Sequence, residues 1–590
     1  MGIGRKRGIM RKKEFKKVMT AILAGAMVCS LAACGEPKAN GDDKATAAAS
    51  SEKVEKEEQG TPEEKDLYGF SEPVTVKIGW AESPDFQFRE GETPEDNEWV
   101  DLYAKHNIFQ ELIYKVDASQ GGAKLANAIT SGNYPDIILT QGSEYINYAK
   151  TGVIADISDV FEEYASDELR EYVESDGGIG MTSAKVDGKL YGIPLLGNSY
   201  DAVMMMFIRQ DWLDKVGMQV PKTMEELHEV AKAFTEKDPD GNGKNDTYGL
   251  ALNGKGVFAS NGGIQAFFEG YGAMPGYGSS FTFIEKDGEV IWGGAAADEM
   301  KAGLTLLHEM YLDGSIAKDF GVMDNDRVTE EFSSGRCGIM FAPMWGAMGP
   351  SASVIKSDIN AHIIAAQIPD GMGEGSAKPW FTNATSGYYA VSSKCEHPEV
   401  LIKLLNLSVD VMCHTESDEE FATYIADSEW KFSLTRTLEP LKNLDNYYKE
   451  SKALETGDIS ELNAEQKSDY SRMKAFLETM KTDNPDVENE EVQSGIGLYS
   501  VFGDPQGGYA VIDSIIKEDN KNVSAYNAIP TDTMVEKFPT LDKLAMETIV
   551  KIITGDAPVD SYDQFLENWY KLGGEGVTAE AQAWYDANQN

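Results

Sequence analysis

From residue 71 onward, short runs in which apolar residues alternate with polar ones are interleaved with longer runs of helical period, and this alternation most limits the fold. In VTVKIGW (74–80), Val74, Val76, Ile78 and Trp80 alternate with Thr75, Lys77 and Gly79, the pattern of a strand. A helical run through Lys124–Thr130 leads into YPDIILT, where Asp136 precedes the apolar Ile137-Ile138-Leu139. KVDGKLYGIP (185–194) turns at Asp187-Gly188 and predicts a hairpin. PKTMEELHEVAKAF (221–234) opens with a capping box, Thr223 with Glu226, and then places Leu227, Val230, Ala231 and Phe234 on one face. Strands and helices mixed in this way predict an α/β chain whose sheets are covered by helices. At 590 residues it divides into at least two domains.

The N-terminus reads differently. Arg5, Lys6, Arg7, Arg11, Lys12, Lys13, Lys16 and Lys17 precede an apolar run from Val18 to Ala33 that is too short for a comfortable membrane span. It ends Leu31-Ala32-Ala33-Cys34-Gly35, which resembles the lipobox of bacterial lipoprotein signal peptides. That resemblance implies removal of residues 1–33 and a diacylglyceryl group on Cys34; the alternative is an unmodified Cys34 near a secretory cleavage site. Residues 34–70 are small, charged and poor in aromatics, a flexible tether with a reach of about 35 Å. No other stretch is apolar enough to cross a bilayer, so membrane contact is expected through the anchor alone, on the outer face of the cell membrane. A formal net charge of −45 argues against nucleic acid and anionic lipid surfaces as partners. Cys337, Cys395 and Cys413 have no metal-ligand spacing; a disulfide framework is not expected, although one bridge stays open.

Residues 238–249, DPDGNGKNDTYG, open like a calcium loop. Asp238, Asp240 and Asn242 stand at positions one, three and five, the Lys244 carbonyl at seven and Asp246 at nine, with Gly243 at six for the turn. Position twelve is Gly249 instead of a bidentate Glu, so water or a remote carboxylate would complete the shell. The expectation is a structural Ca2+ with no sensor or catalytic role. A plain Asp/Asn/Gly turn after a helix is the alternative.

Several blocks, in order, resemble the extracellular solute-binding proteins of sugar ABC importers, in particular the large lipoprotein branch found in Firmicutes. They are GKLYGIP, FIRQDWLDKVGMQVPKTMEELHEVAKAF, EFSSGRCGIMFAPMWGAM (331–348), GYYAVSSKCEHPEVLIKLLN (387–406) and KIITGDAPVDSYDQFLENWYKLGGEGV (551–577). The resemblance implies a two-lobed fold of the periplasmic-binding-protein type (type II), with discontinuous lobes, hinge crossings and ligand held between the lobes. It puts residues 71–198 plus about 365–388 in lobe 1 and 199–364 plus about 389–590 in lobe 2. The first crossing is then expected just after GKLYGIP, with returns near IIAAQIPDG (363–371) and GYYAVSS.

Sugars present flat C–H faces that stack on rings, and hydroxyls that need donors and acceptors. By resemblance, Trp80, Tyr200, Arg209, Trp345, Trp380 and Tyr388 lie where ligand contacts arise, with Glu82 as a hydroxyl acceptor. Each has a bland alternative: the aromatics as core, and Arg209 in a structural salt bridge.

Catalytic patterns are fragmentary. His228-Glu229 and His308-Glu309 lack the second histidine of a zinc-protease motif, and Ser353-Val354-Ile355-Lys356 lacks its companion motifs. No phosphate-binding loop occurs, so an ATPase and a permease would be separate chains. The expectation is a monomeric, lipid-anchored receptor that hands an oligosaccharide to that permease and is not an enzyme. A surface glycoside hydrolase or polysaccharide lyase, and a peptide-binding lipoprotein, remain as alternatives.

Overall fold

Apolar strands close two separate cores in the computed structural model, which describes residues 65–588 apart from 83–88, 198–199, 257–260, 277–281, 382–384, 416, 439–440 and 529. Cys34 and residues 35–64 lie outside the described residues; the expected tether ends sooner than residue 70, because Tyr68 and Phe70 pack on the smaller core and Lys403 donates to the Asp66 and Gly69 carbonyls. Among the described residues no helix is long and apolar enough to cross a membrane. Cys337, Cys395 and Cys413 are free thiols.

The smaller core is built on two short sheets. Val74–Glu82 runs parallel to Ile108–Asp117, and the register shifts between Ile78 and Gly79. A Cβ at Gly79 would come within 2.2 Å of the Tyr114 ring, so any larger residue there must displace that ring. Thr385–Val391 is the middle strand of the second sheet, antiparallel to Ile137–Thr140 on one side and Ile193–Leu196 on the other. Asp136 joins the two sheets: its N–H donates to the Lys77 carbonyl, and its carboxylate accepts from the Lys77 N–H, both at 2.8 Å. The hairpin of Lys185–Val186 and Lys189–Leu190 turns at Asp187 and Gly188 with φ of 51° and 79°.

The larger core surrounds a four-stranded sheet in the order Ile363–Ala366, Met205–Arg209, Cys337–Ala342, Tyr248–Ala251. Cys337–Ala342 is antiparallel to Met205–Arg209 and parallel to Tyr248–Ala251. Every residue of Met205–Arg209 and Cys337–Ala342 is buried, as strands covered on both faces must be. Helix Met224–Glu236 buries Leu227, Val230, Ala231 and Phe234. Thr223 caps it by accepting from the Glu226 N–H at 3.2 Å, but the Glu226 carboxylate bonds the Lys222 N–H instead of closing the box on Thr223.

The allocation of chain to the two cores differs from the expected one. Ile363, Ile364, Ala365, Ile368 and Ala377 pack in the larger core. Tyr388–Val391 and much of helix Val400–Cys413 pack in the smaller one. GYYAVSS is therefore not a crossing. It lies in a central strand, and the backbone partners it needs stand on 137–140 and 193–196. The chain passes from the smaller to the larger core between Leu196 and Val203, back between Phe381 and Tyr388, and over again between Leu434 and Leu444.

After the last crossing, helices Lys442–Thr456 and Ala464–Thr479 pack side by side. Asn463 and Gln466 form a capping box, and Gln466 also donates to Asn446 and Asp445 at 2.9 and 3.0 Å. Glu450 is wholly buried beneath them, and neither of its carboxyl oxygens has a hydrogen-bond partner. Burial, together with Asp469 and Glu465, pushes its pKa up to about 10, so it is neutral at physiological pH. A carboxyl raised on folding stabilises below its unfolded pKa, near 4.5, and loses that contribution as pH climbs towards 10. Glu450→Gln, which mimics the neutral acid, should therefore hold its thermal midpoint better than wild type between about pH 6 and 9. Equal decline in both proteins would contradict a neutral Glu450.

Candidate ligand-binding cleft

Strand ends of the two cores lead into the crossings or into the loops beside them. On the smaller side these are the C-terminal ends at Glu82, Thr140 and Leu196; on the larger side they are Ala251, Ala342 and Ala366. Loops after such ends are where open α/β sheets hold ligands.

Four of the residues singled out from sequence lie at or beside these ends. Trp80 is half-buried and stacks on Phe432 at 6.0 Å. Glu82 forms an ion pair with Lys115 at 2.5 Å. Tyr200 meets the ring of Phe381 edge-on at 4.4 Å, joining the first crossing to the second. Trp345, just past Cys337–Ala342, is 42 % exposed.

The other three are interior. Arg209 is buried, grips Asp211 through two hydrogen bonds of 2.7 and 2.6 Å, and lies over Trp212 at 4.8 Å. Trp380 packs against Met274 and Ile284. Tyr388 stacks on Tyr145 at 4.3 Å, and its hydroxyl donates to Ser183 at 2.8 Å. Tyr388 stands opposite Thr140 at the strand end, but its ring is turned into the core against Tyr145.

Two cavities are lined by residues of both cores. One, of ≈ 480 Å³, has Trp430, Thr437 and Leu438 on its smaller-core side and Asp201, Asn443 and Arg472 among the residues opposite. Asp201, on the first crossing, accepts hydrogen bonds from Tyr509 and from Asn443, the latter at 2.7 Å. Its carbonyl accepts from the Met344 N–H at 3.4 Å, one residue before Trp345. Burial pushes the Asp201 carboxyl up to about 6 despite those bonds. Asp469, on the same wall, is pushed up to about 7 by burial and by Glu465. Lys442 is held by Glu465 at 2.6 Å. An indole face, carboxyl acceptors and amide or guanidinium donors around one space suit a polyhydroxylated ring. The other cavity, of ≈ 850 Å³, lies between residues 177–187 and the C-terminal helix Glu575–Asn588.

Trp430, Asp201, Asn443, Asp469 and Arg472 were not singled out from sequence. Trp430 carried one usable signal, a large aromatic in the charged stretch DSEWKF. The others are polar residues that only the third crossing brings together.

The residues of the calcium-like loop converge. Asp238 and Gly243 have φ of 48° and 78°. The Asn242 side-chain amide donates to Asp240 and Asp246 at 2.6 and 3.0 Å, and the Asp238 carboxylate accepts from the Gly243 N–H at 2.9 Å. A hydrogen bond shared with Asp240 holds Asp238 below the usual carboxylate range, while burial raises Asp240. Position twelve is locked in the sheet, since a Cβ on Gly249 would lie 2.4 Å from Ala231. Among the described residues no group of three or more His, Cys, Asp or Glu side chains is arranged to hold a metal. The histidines of the incomplete protease motifs are engaged elsewhere, His228 with Asp313 at 2.6 Å and His308 with the Ile553 carbonyl at 2.9 Å.

The polygalacturonan/rhamnogalacturonan-binding protein YtcQ of Bacillus subtilis is 24 % identical over 522 residues, which cover 86 % of this chain and 90 % of YtcQ. Lipoprotein LipO of the same organism is 25 % identical over 472 residues, 78 % of this chain and 83 % of LipO. The ABC-transporter substrate-binding protein FusA of Streptococcus pneumoniae, solved as an EF-hand mutant with fructo-nystose, superposes with a TM-score of 0.57 at 16 % identity, covering 88 % of this chain and 99 % of that one. The family model for bacterial extracellular solute-binding proteins matches residues 93–409, more than half of the chain. The chain belongs to the bacterial extracellular solute-binding proteins.

Proposed function

We propose that this protein captures an oligosaccharide between its two lobes and delivers it to an ABC permease driven by a separate ATPase. The observation that carries the reading is the ≈ 480 Å³ space at the crossings, with Trp430 on one side and Asp201, Asn443 and Arg472 on the other. Ligand touching both sides favours the closed arrangement, and the permease would recognise that arrangement. Trp80, Glu82, Tyr200 and Trp345 remain proposed contacts at the rim. Arg209, Trp380 and Tyr388 act through packing in this reading. YtcQ and FusA, named as polysaccharide- and fructo-oligosaccharide-associated binding proteins, support a carbohydrate. No glycosidic bond is broken, and the protein acts as a monomer.

Calorimetry of the pure protein against plant, host and bacterial glycans should show binding without shortened products. Trp430→Ala should weaken it about tenfold, near 1.4 kcal/mol. Released saccharides would establish the hydrolase or lyase, and heat with peptides alone would establish the peptide receptor.

Asp238, Asp240, Asn242, Asp246 and the Lys244 carbonyl would hold a structural Ca2+, with the ion replacing the Asn242 amide as the point on which the carboxylates converge. The EF-hand named for FusA supports this reading. Calcium in hundredfold excess over its dissociation constant should stabilise the protein by about 2.7 kcal/mol, and chelation or Asp240→Asn should remove the gain. Identical melting with calcium and with chelator would leave a plain turn.

Acylation at Cys34 would hold the protein on the outer face of the membrane by a tether, as the lipoprotein LipO is named. Cys34→Ser should move the protein from the detergent phase to the culture medium. Retention of the variant in the detergent phase would rule out this anchor.

A further inference from the structure

The space around Trp430 does not end at that ring. A smaller cavity of ≈ 210 Å³ adjoins it, and Met412, Phe421, Ile425, Lys442 and Glu465 line both. Joined, the two stay within the roughly 300–1,000 Å³ of ordinary ligand sites. The third crossing creates this continuation. It lays helix Asp418–Tyr424 of the smaller core beside helices Lys442–Thr456 and Ala464–Thr479, and Asp418 and Lys467 stand 4.0 Å apart between them.

The charges of the smaller space are spent on one another. Its lining carries Lys442, Lys449, Asp445 and Glu465, and Lys442 is held by Glu465 at 2.6 Å while Lys449 is held by Asp445 at 2.7 Å. A charged ligand would have to break one of these pairs or shed its water without a partner. Recognition there falls to an apolar wall and uncharged polar groups. Phe421 is half-buried on the smaller-core wall with Met412 and Ile425. Opposite, the Asn446 carbonyl oxygen accepts from Gln466 at 2.9 Å, so its amide hydrogens are what it has to give. Phe421 and Trp430 stand on consecutive elements of one wall, helix Asp418–Tyr424 and the 3-10 stretch Ala426–Phe432.

We infer that Phe421 is a second stacking platform, continuing the groove from Trp430 so that two successive sugar units rest on two rings. The inference rests on the oligosaccharide reading above and assigns the residue by which the protein tells a disaccharide from a monosaccharide. Phe421 is specificity-determining in it, and Trp430 holds the unit common to both ligands.

The test is calorimetry of the full chain with glucose and cellobiose, mannose and mannobiose, galactose and galactobiose, and fructose and inulobiose. In at least one pair the disaccharide should bind about tenfold tighter or more. In Phe421→Leu that advantage should fall to about twofold, with monosaccharide affinity unchanged, and Phe421→Tyr, which keeps the ring face, should retain it. Trp430→Ala should weaken both members of the pair. Leucine keeps apolar bulk at a half-buried position, so the variant should melt near wild type. Equal affinity for both members of every pair, longer glycans bound with every disaccharide refused, or an advantage untouched by Phe421→Leu would overturn the second platform and leave the receptor intact. Failure to bind any saccharide would overturn the receptor reading as well.

Discussion

The middle strand of the smaller core is supplied from far along the chain, and this constraint shapes the molecule. Ile137–Thr140 and Ile193–Leu196 each need backbone partners, and Thr385–Val391, far along the chain, satisfies both. Everything between Leu196 and Thr385 must then fold elsewhere and return. The segment does so by closing its own sheet around Met205–Arg209, which is buried on both faces. Helix Val400–Cys413 follows the returning strand into the smaller core, and the chain has to cross once more to finish the larger one. Three crossings between two independently packed bodies are the mechanical basis of a hinge.

That topology also explains why polar groups gather at the crossings. Asp201 leaves the first, Asn443 follows the third, and their 2.7 Å hydrogen bond ties the two together beside the main-chain link to Met344 and Trp345. This hydrogen-bonded network, with the Tyr200–Phe381 ring contact, holds the crossing segments in register. Raised carboxyl pKa values at Asp201 and Asp469 follow from the same enclosure, which shuts both groups away from water beside the cavity. The neutral Glu450 beneath them lets the helix pair pack tightly without burying an unpaired charge.

Local elements were legible because their causes are local. The alternation in VTVKIGW, the Asp187-Gly188 turn and the face formed by Leu227, Val230, Ala231 and Phe234 each depend on near neighbours in sequence, and each appears at its place. The convergence of Asp238, Asp240, Asn242 and Asp246 is equally local. Aromatic roles were not legible. Trp80 and Trp380 look alike in sequence, yet one lies at a strand end against Phe432 and the other is sealed against Met274 and Ile284. Arg209 was equally open, until its two bonds to Asp211 and its position over Trp212 settled where its charge goes.

Sequence by itself determined the α/β class, the secondary elements, the acid-rich loop and the order of blocks that mark the family, since all of these follow from short-range periodicity and neighbouring side chains. Tertiary structure alone decided which core receives residues 363–381 and 388–413, and which side chains stand together at the crossings. Those outcomes turn on pairing between strands distant in sequence, where the partners available across the sheet, and not the residues alongside, set which face is buried.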